Sequence, residues 1–274
     1  MPEMPALGGY WSETAGAVAA SSTGTAVTAH ASADTKGTLV ELIASTAHNA
    51  QWMSVNIYAG TTSGLTGLLD ILIGSATEQV LIANLPTTSR AASEGGGGPY
   101  LFPVSIPRGS RISAQYQNST GSSIALVTVQ LFSGHPASPW SNCTYVDRYG
   151  ATATSRGTNI DPGAVANTYS AYSAIANTTL RDIRWLVLCV QNADTASAAA
   201  TQWTIQVAIG AATEQVIAGD FLLTGGQLTD NAMPFMHYYL PIYIPRGSII
   251  SVRAKCSSAT DGDRDLYVSL FGAG

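Results

Sequence analysis

The chain states its plan twice. Ile73–Val80 reads Ile-Gly-Ser-Ala-Thr-Glu-Gln-Val, and Ile209–Val216 reads Ile-Gly-Ala-Ala-Thr-Glu-Gln-Val. Ile106-Pro107-Arg108-Gly109-Ser110 returns as Ile244-Pro245-Arg246-Gly247-Ser248. The step from Gly74 to Gly210 nearly equals the step from Gly109 to Gly247, so order and spacing both survive. A repeat this long is no solenoid unit of some 20–50 residues; each copy can bury a core of its own. The 274 residues therefore predict two tandem domains of one fold, 1–134 and 135–274, with a linker near 133–142.

Apolar residues alternate with period two, and in the same phase in both copies. Met53, Val55 and Ile57 match Leu186, Leu188 and Val190. Leu69, Ile71 and Ile73 match Ile205, Val207 and Ile209. Ile112, Ala114 and Tyr116 match Ile250, Val252 and Ala254; Val127, Val129 and Leu131 match Leu266, Val268 and Leu270. A slip of one residue would turn each set to solvent, so the shared phase implies one buried face per sheet. Weaker strands fall near 26–31, 39–44, 78–85 and 101–106. About eight strands per copy and no helical period predict an all-β chain of two antiparallel, jelly-roll-like β-sandwiches.

The Pro-Arg-Gly corners read as tight hairpin turns, with proline at the second turn position and glycine at the fourth. The linker contains Pro136, Pro139 and Trp140, the last near the place that Trp11 takes before copy one. The copies diverge most between Thr87–Pro99, with its run Gly95–Gly98, and Thr224–His237, with Met233-Pro234-Phe235-Met236. Both stretches read as loops, and divergent loops on a repeated scaffold are where separate contacts arise.

Charged residues are 11% of the chain, against about 25% in an average soluble domain. Burial and sheet hydrogen bonds must then carry stability. The net charge is −5 and no Lys/Arg cluster occurs, which argues against a phosphate-backbone partner. No apolar run reaches the roughly 18 residues of a membrane span. The sequence from Met1 shows no basic n-region or apolar h-region of a secretory signal. Cys143, Cys189 and Cys256 are odd in number and have no cysteine counterparts across the repeat, so reduced thiols are expected.

The residues that could carry chemistry are few. Glu78 and Glu214, and Arg108 and Arg246, recur in both copies and predict a structural carboxylate–guanidinium pair in each. One repeated Glu per copy does not make a glycosidase pair, which needs two carboxylates some 5–10 Å apart. Gly95–Gly98 lacks the Lys-Ser/Thr of a phosphate loop. Asp261, Asp263 and Asp265 alternate as calcium ligands can, but the glycine and glutamate of an EF-hand are missing and Arg264 sits among them. A solvated turn is the simpler reading. The four histidines have no ligand spacing, and no nucleophile elbow occurs. No cofactor is implied. Trp52 and Trp185 match each other on the parity opposite to their strands' core residues. With Phe235, Met236, Tyr238 and Tyr239 they form the candidate contact surface, since exposed aromatics anchor protein interfaces or stack on sugars.

The pattern of strand, Ile-Pro-Arg-Gly-Ser, strand, Ser/Thr-rich turn and Leu-Phe at Val104–Phe132 and Ile242–Phe271 resembles uncharacterised structural proteins of tailed bacteriophages. The Ile-Gly-x-Ala-Thr-Glu-Gln-Val segment adds to the likeness. The resemblance implies a non-enzymatic virion component, a capsid decoration or cement protein or a tail-associated one, made in a host cytoplasm. Its partners would be other virion proteins and further copies of itself. The alternative is a carbohydrate-binding, lectin-like module that takes a host-surface glycan on its aromatics. An enzyme would need a pocket with paired carboxylates.

Overall fold

The computed structural model describes residues 11–16, 24–59, 66–74, 77–91, 94–133, 143–152, 154–192, 201–210, 213–225, 236–260 and 264–274. Among them there are strands and turns and no helix. The first repeat supplies β1 (Ser12–Ala15), β2 (Thr25–Thr28), β3 (Val40–Ile43), β4 (Trp52–Ala59), β5 (Thr66–Gly74), β6 (Gln79–Ala91), β7 (Glu94–Phe102), β8 (Arg111–Asn118) and β9 (Ile124–Phe132). The second supplies β10 (Val146–Tyr149), β11 (Thr158–Ile160), β12 (Ser173–Ala176), β13 (Trp185–Asn192), β14 (Thr201–Ile209), β15 (Gln215–Gly225), β16 (Met236–Leu240), β17 (Ile250–Cys256) and β18 (Leu266–Ala273).

The pairing is nested. In repeat one β1 and β2 both pair β9, β3 pairs β8, β4 pairs β7 and β5 pairs β6, all antiparallel. The resulting halves, β1-β9-β4-β7 and β3-β8-β5-β6, are joined by the pairing of β6 with β7 into one continuous sheet. Repeat two has the same orders, β10-β18-β13-β16 and β12-β17-β14-β15. First with last and inward from there is the strand pairing of a jelly roll. Each repeat thus has the pairing of a jelly roll, with its two layers joined along β6–β7 in repeat one and separate in repeat two, and the first strand of each is split into two short pieces.

The alternating residues explain the layers. Met53, Val55 and Ile57 from one layer and Leu69, Ile71, Ile112 and Tyr116 from the other are buried in one core. Leu186, Leu188, Val190, Ile205, Val207, Ile250 and Val252 do the same in repeat two. Even irregularities are duplicated. Asn84 in β6 and Asp220 in β15 occupy matching bulges with φ of 56° and 59°. Short polar side chains tolerate this left-handed backbone, and a bulge re-aims the strand beside it.

Two local expectations are corrected. The tetraglycine stretch is strand, not loop: Gly95 and Gly96 pair with Ser89 and Thr88 of β6, and Gly97 pairs with Ile57 of β4. Partners on both sides satisfy a backbone whose own propensity is poor. The Pro-Arg-Gly corner is not a hairpin, because the strands it joins are not neighbours: β7 does not pair β8, and β16 and β17 lie in different sheets. Proline is the first turn residue and glycine the third. Ser110 N donates to Pro107 O and Ser248 N to Pro245 O, both at 3.3 Å, and Gly109 and Gly247 share a φ of +83°. Glycine is needed at that third position because it is the one with positive φ.

The repeats share an interior. The core of repeat one also contains Trp185, Val187, Cys189, Phe271 and Ala273 of repeat two. Strand β13 explains this. Its six residues Trp185–Val190 are all buried, which marks a strand covered on both faces. One parity faces its own sandwich and the other faces repeat one. The matching strand β4 carries Ser54 and Asn56 where β13 has Val187 and Cys189.

Candidate functional site

Two constructions recur or converge in this chain: a clasp in each repeat, and the junction between repeats. The clasp fixes the Pro-Arg-Gly corner. Thr46 and Thr179 are each 1% exposed. Their hydroxyls donate to Pro107 O at 2.9 Å and Pro245 O at 2.8 Å, and accept from Ser110 N at 3.1 Å and Ser248 N at 3.0 Å. The backbone closes the same ring: Gly109 N donates to Thr46 O and Gly247 N to Thr179 O, both at 2.9 Å. Arg108 N donates to Asn49 Oδ1 and Arg246 N to Asp182 Oδ1, both at 2.7 Å. The threonines escaped the sequence reading, although they recur in register before Asn49-Ala50 and Asp182-Ile183.

The predicted carboxylate pair forms with a different arginine. Glu78 accepts from Arg111 Nε at 2.8 Å and also from the Ser113 hydroxyl. Arg108 is exposed, and the corner uses its backbone rather than its guanidinium. Repeat two has Ile249 at the place of Arg111, Arg246 is exposed with its backbone N–H held by Asp182, and among the described residues no ion pair joins it to Glu214. Repetition pointed to the arginines held by the clasp; the partner of Glu78 is present only once.

The junction gathers three of the six predicted contact residues, Trp52, Trp185 and Tyr239, and packs them on one another. Trp185 is 9% exposed. Its ring meets Trp52 edge-on at 5.4 Å and stacks on Tyr239 at 5.9 Å. Its indole N–H donates to Leu101 O at 3.1 Å. The Tyr239 hydroxyl accepts from Leu101 N at 3.0 Å and donates to Pro99 O. Beside them Phe102 meets Phe271 edge-on at 6.1 Å, and Tyr100 lies 4.9 Å from His237. Tyr238 packs on its own repeat instead, against Phe221, and donates to Leu222 O at 3.0 Å. Phe235 lies outside the described residues, as does the side chain of Met236, whose backbone pairs with Val190. Trp52, Trp185 and Tyr239 of the contact surface read from the sequence thus belong to an interface within the chain.

Burial sets the chemistry of this region. It pushes the Tyr100 phenol well above its ordinary value and the Tyr239 phenol up to about 12. It raises the Cys189 thiol strongly and the Cys143 thiol less. All three cysteines are buried thiols outside any disulfide, and buried, protonated thiols are poor nucleophiles.

Two clefts open beside these constructions. One of about 470 Å³ is lined by Ile73, Gly74, Thr77, Gln79 and Pro107, Arg108, Gly109 and Ser110. One of about 220 Å³ crosses the junction, between Ile73, Gln79, Val80 and Leu81 and Thr144, Tyr145, Val146 and Arg181. Neither described lining contains a carboxylate, histidine, cysteine or lysine. Arg181 is engaged already, donating to both oxygens of Asp147 and lying 3.6 Å over the Tyr145 ring. Of the acidic triplet, Asp261 and Asp263 lie outside the described residues. Asp265 accepts from Asn159 Nδ2 at 3.0 Å, and Arg264 pairs with Asp161 at 2.7 Å. No group of three metal-ligating side chains occurs among the described residues. Nor is any described helix long and apolar enough to cross a membrane.

No protein-family profile matches this chain, and no curated protein matches it. Solved structures with a similar course include PNGF-II (TM-score 0.36, 9% identity, 85% of this chain), of whose length the chain covers 59%. The tandem CBM22-1–CBM22-2 domains of Paenibacillus barcinonensis Xyn10C give a TM-score of 0.26 at 11% identity, over 97% of this chain and 92% of theirs. The infectious bursal disease virus T13 particle protein gives 0.25 at 14% identity, over 96% of this chain and 69% of its own. Likenesses of this size leave the function to be argued from the chain's own residues.

Proposed function

We propose that this protein is a non-enzymatic structural component of a tailed-phage virion, on the capsid or the tail, that works through protein–protein contacts. One observation carries the reading: the second jelly roll gives Trp185, Val187 and Cys189 of β13 to the core of the first, so the repeats form one block with a common interior. A catalytic or receptor module gains nothing from spending its aromatics this way. A building block does, because a fixed angle between its halves sets the geometry of whatever it joins. Buried thiols and a low-charge surface suit a subunit that ends in an assembly. The experiment is density-gradient fractionation of the particles followed by immunodetection of the chain. The reading expects it to band with intact particles and to resist a high-salt wash. Recovery in the soluble fraction alone would refute it. The lectin-like alternative loses its first motive, since Trp52, Trp185 and Tyr239 face one another rather than solvent.

A further inference from the structure

The outer face of the β12-β17-β14-β15 sheet holds a cluster that the block's assembly does not use. Arg253 and Lys255 stand two residues apart on the same side of β17. The Arg253 guanidinium lies over two tyrosine rings, Tyr169 at 4.6 Å and Tyr172 at 4.5 Å, and Lys255 Nζ lies 4.8 Å from the Tyr169 ring. Gln206 on the next strand accepts from Arg253 Nε at 2.8 Å and from the Tyr172 hydroxyl at 3.3 Å. Its amide donates to Asp220 Oδ1 at 3.0 Å, which also accepts from the Tyr169 hydroxyl at 2.5 Å. The network thus holds every group in place from below. It leaves the two terminal nitrogens of Arg253, the Lys255 ammonium and Asp220 Oδ2 with no hydrogen bond among the described residues.

The matching place in repeat one shows what such a cluster looks like when it is purely structural. The register puts Lys36 opposite Tyr169, Asp70 opposite Gln206 and Asn84 opposite Asp220. There the single cation is spent. Lys36 Nζ donates to Asp70 Oδ1 at 2.8 Å and to Leu68 O at 2.9 Å, and Asn84 N donates to the same carboxylate oxygen at 2.6 Å. Asp70 is 8% exposed, and Arg148 of repeat two adds a further positive charge near it. The repeat-one version is closed by the other half of the molecule. The repeat-two version is open, and it has one more cation than carboxylate.

We infer that this face is a binding site for an acidic, carboxylate-bearing saccharide chain. Arg253 presents two donors in the fork that grips a carboxylate. Lys255 adds a second cation for the next acidic unit. Asp220 supplies an acceptor that sugar hydroxyls can satisfy. That carboxylate would repel an acidic peptide or a nucleic acid strand, neither of which offers hydroxyl donors at such density. The tyrosine rings hold the guanidinium and the ammonium in position through cation–π contact. The site lies away from the junction and does not depend on the virion reading.

The test uses the full chain and a galacturonic acid oligomer, with a neutral galactose oligomer of equal length as control, by titration calorimetry at low and high salt. The site predicts binding of the acidic oligomer only, weakened by salt. Lys255→Gln should lower that affinity about tenfold and Arg253→Gln should abolish it. If Arg253→Gln disturbs folding, the Lys255→Gln variant at unchanged melting temperature decides alone. Equal binding of the neutral oligomer, unchanged affinity in Lys255→Gln, or no binding of the acidic oligomer would each overturn the inference. Polyglutamate binding as tightly as the acidic saccharide would overturn it too.

Discussion

Replacing Trp185 by alanine should do more than remove one buried ring. The side chain is 9% exposed and sits where three contacts from two repeats meet. Truncating a buried tryptophan costs about 3–5 kcal/mol through lost transfer free energy and the cavity left behind. Its hydrogen bond to Leu101 O, at 3.1 Å, adds about 1 kcal/mol, because the carbonyl is left without that donor. The sum, about 4–6 kcal/mol, falls on the contact between halves and not on either sandwich alone. Differential scanning calorimetry should therefore show one transition in the native chain and two in Trp185→Ala, with the first repeat melting earlier. A double-mutant cycle with Trp52→Ala should give a coupling of about 1 kcal/mol, since the rings meet edge-on at 5.4 Å. Two transitions already in the native chain, or zero coupling with a loss below about 1 kcal/mol, would refute the shared core.

The clasp predicts that Thr46→Val and Thr179→Val each cost about 1 kcal/mol in urea unfolding, because a valine of the same shape loses the buried hydroxyl's two hydrogen bonds to the corner, whose carbonyl and N–H keep their bonds to each other. Gly109→Ala should cost about 1 kcal/mol from its φ of +83° alone, since open space surrounds the position. Glu78→Gln should lose about 1–2 kcal/mol with its Arg111 and Ser113 bonds, whereas Arg108→Ala should stay within about 0.5 kcal/mol; equal effects would mean the pairing is wrong. Alkaline titration should weaken the fold. The Tyr100 phenol is raised by burial, so it stays protonated in the folded chain while the unfolded chain ionises near its ordinary value of 10.0. Its contribution is complete below that pH and declines above it, by about 1.4 kcal/mol per pH unit. Tyr149 and Tyr239, pushed up to about 12 and more exposed to solvent, add smaller losses. Chemical denaturation at pH 9 and 11 checks this, and equal stability at the two would contradict it.

The sandwiches could be read before the structure, because period-two burial leaves its mark directly on residues such as Met53-x-Val55-x-Ile57 and their copies. The jelly-roll pairing is carried by the duplicated order of those strands. The junction was half legible. Trp52 and Trp185 stood out on the wrong parity, but the stronger signal was Val187 and Cys189 in the places of Ser54 and Asn56. An apolar outer parity in only one copy means that only that copy's sheet is covered. The reading of Glu78 failed for a physical reason. Repetition reports what both halves need, which at Arg108 and Arg246 is a capped backbone N–H; nothing in the structure explains the arginine side chain there. The pair that matters locally, Glu78–Arg111, belongs to one half. The tetraglycine run misled in the same way, since strand pairing from two sides overrides a low propensity. The cluster around Arg253 was invisible because its members come from four separate segments that the sheet register alone brings together.

The central claim is that this chain is a building block of a particle. Quantitative mass spectrometry of purified virions tests it most directly, by counting copies of this chain against a component of known number. The account predicts a fixed copy number that is a multiple of the particle's symmetry, the same in independent preparations. Absence of the chain from the particles, or a trace amount that varies between preparations, would contradict it.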